Sequence, residues 1–301
     1  MSQASSLRAV LYALAANSGI LIAKGAAAAV TGSSAMMAEA IHSAADCGNQ
    51  VLLLFGMRDA KRIADAKHPL GYGRAIYFWA ILVAVLLFTL GGMFSIYEGW
   101  HKLHQTEPIT HAGVAIGVLV VAIVLEAFSL AGCIREIRKI SGTRTLWRFF
   151  RTSRNSELIV VLGEDIAALA GLALALIAVA VTVLTGDPVY DAIGSMAVGM
   201  LLVVVAVLLA AEIKAMITGE SAEEETQQAI RSFIAARPEV AEIYSLLALQ
   251  LGEAIMLAVK ARMVETAGAG AMIDAINRVE ADLRTAFPAV QWCFFEPDNK
   301  N

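Results

Sequence analysis

The sequence predicts an α-helical integral membrane protein with six transmembrane helices, followed by a small C-terminal α+β domain. Composition is the first observation behind this fold class: 58% of the 301 residues are hydrophobic and 17% are charged. A soluble domain of this length is closer to half apolar and a quarter charged. The second observation is that the apolar residues cluster in long stretches. The third is that the pattern changes to amphipathic helices and strands from about residue 213 onward.

Six stretches are long and apolar enough to cross a bilayer, which takes ~20 residues of helix. The fifth and sixth, which contain "IAALAGLALALIAVAVTVLTG" and "AIGSMAVGMLLVVVAVLLAA", are the clearest. The first stretch is too long for a cleavable signal peptide and lacks a strongly basic start, so we expect it to be a span. The six predicted spans are 7–30, 34–57, 75–99, 111–134, 157–185 and 188–211.

Lysine and arginine are concentrated in two of the loops that connect these spans. The loop between spans two and three carries five, and the loop between spans four and five carries seven; the connections between one and two and between five and six carry none. Since basic residues accumulate on the cytoplasmic side, we expect both basic loops and both termini to be cytoplasmic. The predicted domains are a six-span transmembrane domain over 1–212 and a cytoplasmic domain over 213–301.

The C-terminal segment has the pattern of an αββαβ domain. Ser221 and the acidic residues after it predict a helix that ends before Pro238. The segment 243–264 predicts two strands with a turn at Gly252-Glu253, because apolar and polar residues alternate in its second half. An amphipathic helix and a final strand, "AVQWCFFEP", complete a ferredoxin-like order with helices on one face of the sheet.

Ionisable residues inside the spans are the candidate functional residues, because charge in hydrocarbon is costly and usually faces a protein interior or a wet cavity. His42 and Asp46 lie four positions apart in span two and therefore share one helix face. They offer a nitrogen and an oxygen ligand to a divalent cation. The alternative is a His-Asp hydrogen bond that only orients the imidazole. In the middle of a span we favour the ligand pair.

Span five carries the adjacent carboxylates Glu164 and Asp165 within apolar sequence. Burial and a neighbouring like charge favour the protonated form unless a cation neutralises the pair. Adjacent helical positions point ~100° apart, so we expect one of the two, and either fits, to face the site more squarely. Glu126 is a further candidate for an outer or proton-carrying group. Asp191 fits that role or a helix cap, and Asn17 fits a bridge between helices.

The stretch "AEAIHSAADCGNQVLLLFG" at 38–56, together with "HPLGYGR" at 68–74, resembles the second span and following loop of cation diffusion facilitators. The resemblance covers nearly the whole chain, including "DPVYDAIGS" at 187–195 and "FFEPD" at 294–298. It implies a homodimeric secondary transporter in a membrane, expected to be a bacterial inner membrane. Such a protein exports a divalent metal, zinc in the first place, in exchange for protons. It implies no cofactor besides the transported ion, and no nucleic-acid partner.

The resemblance also implies a transport site built by spans two and five, but the family pattern of a His and an Asp four residues apart in span five is missing here. If Asp165 takes the aspartate position, Val161 stands where the His would be; if Glu164 takes the His position, its partner is Ala168. A family branch with a mitochondrial zinc transporter has a similar Glu-Asp pair. More carboxylate makes manganese, iron(II) or cobalt more plausible than in a two-His site. The expected ligands are His42, Asp46, Glu164 and Asp165.

Outside the spans, the resemblance suggests two further metal positions. Relatives often bind regulatory metal in the C-terminal domain through histidines, but residues 212–301 contain none, so we expect this domain to serve mainly in dimerisation. Glu296 and Asp298 fit a weak cation site or a solvated chain end. Asp65 and His68 fit either an interfacial metal site or a structured loop.

Two other function classes are compatible with buried His and carboxylate residues. An intramembrane metal-dependent enzyme would need catalytic groups, but the spans contain no HExxH motif and no recognisable nucleophile–base set. A non-transporting membrane scaffold would tolerate alanine at His42 and Asp46. We therefore expect a transporter and not an enzyme. Because the sequence has no nucleotide-binding motif, we expect an ion gradient to drive it.

Overall fold

The structure is a computed structural model that describes residues 2–31, 34–104, 112–141 and 145–300. Within these ranges the side chains of 2–5, 27, 28, 30, 31, 34–42 and 112 are not described. The predicted ligand His42 is among them, so its side chain lies outside the described part. The chain divides into two compact units. The first comprises 1–58, 76–151 and 155–214, and the second 59–75, 152–154 and 215–301.

The first unit is helical and carries the predicted spans. Among the described residues, five helical segments are long and apolar enough to cross a membrane: Ser6–Ala26, Ala75–Leu103, Gly113–Ser141, Ser156–Thr185 and Val189–Thr218. The second predicted span is a helix of 26 residues and is not among these five; its length of ~39 Å exceeds the ~30 Å hydrocarbon core, and it stays a predicted span. The elements are α1 (Ser2–Thr31), α2 (Ser34–Asp59), α3 (Ala75–Leu86), a π-helical segment (Leu87–Met93), α4 (Phe94–Leu103), α5 (Ala112–Ser141), α6 (Leu146–Thr152), α7 (Ser156–Thr185) and α8 (Val189–Thr218).

The sequence "TGDP" explains why α7 stops and α8 starts where they do. Gly186 has φ 75° and its N–H donates to the Thr182 carbonyl, which is the left-handed cap that glycine favours at a helix end. The Asp187 side chain then accepts the Val189 N–H at 3.0 Å, as an N-cap does. Helix α8 continues to Thr218, past the predicted domain boundary at residue 212.

Glycines bring the third span against α8. A Cβ on Gly199 would lie 2.7 Å from the Gly92 carbonyl oxygen, and one on Gly92 would lie 2.6 Å from Val203 Cγ2. Small residues allow this close approach of two backbones in a membrane. Gly92 also lies in the π-helical segment, a local widening that is frequent at functional sites.

The second unit contains the αββαβ order that the sequence predicts, which confirms the fold class together with the helical membrane part. Strand β2 is central: it pairs antiparallel with β1 and parallel with β3. Leu251 pairs with Ala254, so the hairpin turn lies at Gly252-Glu253 as predicted. The elements are α9 (Glu224–Ala235), β1 (Val240–Leu251), β2 (Ala254–Met263), α10 (Ala269–Ala286) and β3 (Val290–Pro297).

One apolar core joins both helices to one face of this sheet. Leu257, Val259 and Ala261 of β2 are buried, whereas Arg262 is exposed, so the predicted alternation is present. Side chains from α9, α10 and β3 complete the core, namely Ile230, Ile234, Val279, Leu283 and Val290. Burying each large aliphatic side chain contributes ~1.5–3 kcal/mol, and the helices are amphipathic for this reason.

Candidate metal centre

A cavity of about 30 Å³ lies inside the first unit, and each predicted span contributes to its wall. This volume suits a single small ion or a few water molecules. The wall is unusual for a membrane interior because it combines four carboxylates and one amide with only three apolar side chains. The lining residues are Asn17, Asp46, Leu87, Glu126, Glu164, Asp165, Ala168 and Leu202.

Helix α2 supplies the first of the predicted ligands. Asp46 lines the cavity and is half-buried. His42 stands one turn before Asp46 on the same helix, which places both on one face. One turn after Asp46 come Asn49 and Gln50, which are 2% and 0% exposed. The predicted His-Asp pair therefore sits on a helix that carries a longer polar stripe.

Helix α7 supplies the two adjacent carboxylates, and both line the cavity. Glu164 accepts hydrogen bonds on both oxygens: Asn49 Nδ2 donates to Oε1 and Gln50 Nε2 donates to Oε2, each at 2.9 Å. Asp165 accepts a hydrogen bond on Oδ2 from Ser129 Oγ at 3.1 Å. The sequence led us to expect one carboxylate to face the site more squarely, but the structure brings both to the same cavity with different partners.

A chain of amides extends from Glu164 to α1. Asn17 Nδ2 donates to Gln50 Oε1 at 3.1 Å, so Asn17 bridges α1 and α2, one of the roles considered for it from sequence. The sequence analysis missed Asn49 and Gln50. Their signal was present, since they follow Asp46 by three and four positions and polar residues in spans commonly join helices.

Helix α5 adds Glu126, which is 4% exposed and close enough to Asp165 and Asp46 to interact with both electrostatically. It also interacts electrostatically with Lys24 of α1, which is only 5% exposed. Sequence reasoning missed Lys24, although a lysine within the apolar first span was a visible signal. This cation offsets part of the negative charge that the carboxylates concentrate in a low-dielectric region.

Carboxylate oxygens at such a density attract hard or borderline divalent cations. Within the described side chains, however, His, Cys, Asp and Glu do not form a group of three or more that could hold a metal. Three of the predicted ligands, Asp46, Glu164 and Asp165, thus share a cavity wall without forming a closed coordination cage. The fourth, His42, is outside the described side chains.

The loop 59–75 is folded around Asp65. Its carboxylate accepts the N–H groups of Lys67 and His68 at 2.9 and 2.7 Å and the Tyr72 hydroxyl at 2.7 Å. The hydrogen bond from Tyr72, followed by that from the His68 N–H, lowers the pKa of Asp65 to about 2. The His68 ring packs on Tyr72 with a centroid distance of 4.2 Å. These contacts are those of a structured loop, and an interfacial metal at Asp65 and His68 stays a prediction.

Two other carboxylates singled out from sequence have basic partners. Asp191 lies in the first turn of α8, and its Oδ2 is 3.3 Å from Lys102 Nζ. Asp298 lies 2.8 Å from Lys260 on β2, and this hydrogen bond lowers the pKa of Asp298. Neither residue lines the cavity described above.

The sequence of residues 10–217 matches the family of cation efflux transmembrane domains. The mitochondrial proton-coupled zinc antiporter of Xenopus laevis is 34% identical over 224 residues, which cover 74% of this chain and 40% of the relative. Metal tolerance protein C4 of Arabidopsis thaliana is 31% identical over 241 residues, covering 79% of this chain and 53% of the relative. Magnetosome protein MamB of Magnetospira sp. is 32% identical over 89 residues, 30% of each chain.

The matched part of the chain spans about half the length of the first two relatives or less. The family match itself extends from α1 to the end of α8 and contains the whole cavity wall. Members of this family are membrane transporters and not enzymes. The chain therefore belongs to the cation efflux family, the cation diffusion facilitators that its second span and following loop resemble.

Proposed function

We propose that the protein is a secondary transporter that exports a divalent metal cation from the cytoplasm in exchange for protons, with zinc as the first choice. The observation that carries this proposal is the cavity, to which every predicted span contributes and which four carboxylates line. Family membership supports metal efflux, and the name of the Xenopus laevis relative supports zinc and proton coupling.

The cation is bound by His42, Asp46, Glu164 and Asp165 in this proposal. Asp46 and the two α7 carboxylates already line one cavity, and His42 precedes Asp46 by one turn on the same face. Because the described carboxylates do not form a closed cage, binding must draw them closer together around the ion. The ion in turn neutralises negative charges that are costly to keep apart from water.

One imidazole with two or three carboxylates is a harder ligand set than two imidazoles with two carboxylates. Such a set does not discriminate strongly against manganese, iron(II) or cobalt. Zinc remains the first choice because of the named relatives. The ligand set predicts that the protein transports zinc and also accepts at least one of manganese, iron(II) and cobalt as an alternative substrate.

Proton exchange follows from the same carboxylates. Without a metal, a cavity lined by several carboxylates cannot keep all of them ionised cheaply, because desolvation and neighbouring like charges favour protonation. A metal ion needs deprotonated ligands, so its arrival releases protons. If the site opens to the cytoplasm with metal and to the other side with protons, the two ions exchange.

The C-terminal domain is proposed to be a cytoplasmic dimerisation module. Leu247 and Phe294 are 66% and 57% exposed, and both pair with Ala258 in register, so they lie on the same outer face of the sheet. A second copy of the chain would cover this apolar face. The basic loops support cytoplasmic termini, and a bacterial inner membrane is the proposed location.

A transport assay in proteoliposomes tests the proposal. Purified protein is reconstituted and metal uptake is measured with zinc, manganese, iron(II), cobalt and cadmium. We expect uptake of zinc, and its loss in His42→Ala and in Asp46→Ala while both variants keep the wild-type circular dichroism. Full transport by either variant at equal incorporation removes that residue from the site, and full transport by both supports a scaffold instead.

A further inference from the structure

The Glu164 carboxylate is the one described group at the cavity that amide side chains hold at both oxygens. Asn49 and Gln50 each donate one N–H to it at 2.9 Å, and all three residues are at most 5% exposed. A glutamate has three side-chain torsions, so an isolated carboxylate would sample many orientations. Two amides from α2 on its two oxygens leave it one orientation relative to the cavity.

The orientation of the Gln50 amide is itself fixed by Asn17. Asn17 Nδ2 donates to Gln50 Oε1 at 3.1 Å. A side-chain amide has its acceptor and its donors on opposite sides. The bond from Asn17 therefore turns the Gln50 NH₂ group toward Glu164, and the direction of donation runs from α1 through α2 to α7.

The Asn49 amide is oriented toward Glu164 even though this leaves its own oxygen unsatisfied. Asn49 Oδ1 is buried and has no hydrogen-bond partner among the described residues, a condition that costs stability in a protein interior. Hydrogen bonds to an anion are stronger than those between neutral groups. The Asn49 amide is therefore oriented for its hydrogen bond to Glu164, and its own oxygen gains no described partner in that orientation.

The amides do not exclude a cation from the carboxylate. Each carboxylate oxygen has two lone pairs, and each Glu164 oxygen accepts one described amide, so one lone pair per oxygen is left for a metal. Groups that hold a ligand in place tune both the affinity and the preferred ion, since they fix the distance at which the ligand meets the metal.

We infer that Asn17, Asn49 and Gln50 are positioning residues that hold the Glu164 carboxylate toward the cavity and thereby set the affinity and selectivity of divalent-cation binding. This inference rests on the proposed function, because it takes Glu164 as a ligand of the transported ion. Asn17 lines the cavity and acts on Glu164 through its hydrogen bond to Gln50, whereas Asn49 and Gln50 act on Glu164 directly.

The test uses the purified full chain in detergent and measures zinc and cadmium affinity by calorimetry. Cobalt(II) serves as a spectroscopic probe, since its absorption bands report the coordination geometry. Gln50→Met and Asn49→Leu approximate the shape of the native side chains and remove the donors. We expect each to weaken metal affinity by ~10–100-fold, as loss of outer partners does, to shift the cobalt spectrum and to change the ratio of zinc to cadmium affinity.

Ser18→Ala is the matched control, because Ser18 Oγ lies 3.9 Å from Cys47 Sγ at the same α1–α2 contact and has no described bond to Glu164. It should leave affinity and spectrum unchanged. Asn17→Leu should weaken binding in the wild type but add nothing in the Gln50→Met background, because the relay is already broken there. If Gln50→Met does not fold, Asn49→Leu and Asn17→Leu carry the test.

The inference is overturned if the three variants bind zinc and cobalt as the wild type does and only melt at a lower temperature, since the amides then merely tie helices together. If the effects of Asn17→Leu and Gln50→Met on metal affinity are additive, the proposal that Asn17 acts through Gln50 is overturned. A wild type that binds no metal would defeat the proposed site itself, and Glu164→Gln with unchanged metal binding would remove Glu164 from that site; both outcomes are distinguishable from failure of the amides alone.

Discussion

Exchanging Glu164 for glutamine changes the site with little change in shape, and its effect can be worked out from the structure. The carboxylate accepts one hydrogen bond from Asn49 and one from Gln50. A glutamine has one acceptor oxygen, so at least one of these amide donors would face an NH₂ group. A hydrogen bond to a charged group contributes about 1.5–3 kcal/mol; where that energy serves to hold the ligand for the metal, its loss corresponds to roughly 10–150-fold in binding affinity.

The loss of the negative charge adds to this effect, because the metal site loses an anionic ligand. We therefore expect Glu164→Gln to reduce zinc transport by at least ~10-fold, and Asp165→Asn to do likewise. Initial uptake into proteoliposomes, normalised to incorporated protein, measures both. Ser195→Ala is the control: this hydroxyl donates to the Asp191 carbonyl within α8 and does not line the cavity. Transport by Glu164→Gln at the wild-type rate would refute the reasoning and leave Asp165 as the α7 ligand.

Three further predictions concern the loop 59–75 and the C-terminal domain. The hydrogen bond to Asp65 is the main cause that raises the pKa of Tyr72, since a tyrosinate beside a carboxylate is disfavoured. In Asp65→Asn this pKa should fall toward the ordinary ~10, seen as tyrosinate absorbance appearing at lower pH than in the wild type; identical titrations would contradict the contact. Leu257→Ala should destabilise the C-terminal domain by about 2–5 kcal/mol, measured by hydrogen exchange of β2 amides, because Leu257 is fully buried at 0% exposure. Ile273→Ala, at an exposed position on α10, should change that stability by less than about 0.5 kcal/mol; equal effects would mean that the core is misassigned. Deletion of 213–301 should weaken the dimer in light scattering, and an unchanged dimer would move the interface to the spans.

The fold was largely predictable because both of its parts rest on local patterns. A span needs an unbroken apolar stretch, and a half-buried strand needs alternation, and each of these can be read within a window of a few residues. Leu257, Val259 and Ala261 face the core because every second side chain of a strand points to the same face of the sheet. The end of α7 at Gly186 likewise follows from the local sequence "TGDP".

The site was predictable only in part, because its geometry depends on which helices meet. Asp46, Glu164 and Asp165 stand out as acidic residues in apolar stretches, and all three reach the cavity. Gln50 and Asn49 did not stand out, since an uncharged amide in a span is equally compatible with a plain helix contact. Their role depends on the distance between α2 and α7, and the sequence of a single helix does not determine that distance.

The same limit explains why the sequence did not predict that Lys24 is buried close to Glu126. The two residues belong to α1 and α5, which are far apart in sequence and close in space. The π-helical segment 87–93 was also not visible in the sequence. Gly92 of this segment lies against Gly199 and Val203 of α8, a contact between two spans that the sequence of one span does not reveal.

The central claim is that one buried carboxylate site exchanges a metal ion for protons. It is tested most directly in sealed proteoliposomes with the membrane potential clamped at zero, where metal and pH are recorded together after a pH gradient is imposed. The account predicts that the gradient drives zinc against its own concentration gradient, and that added zinc moves protons in the wild type but not in Asp165→Asn. Zinc flux that is indifferent to the pH gradient, with no accompanying proton movement, would contradict it.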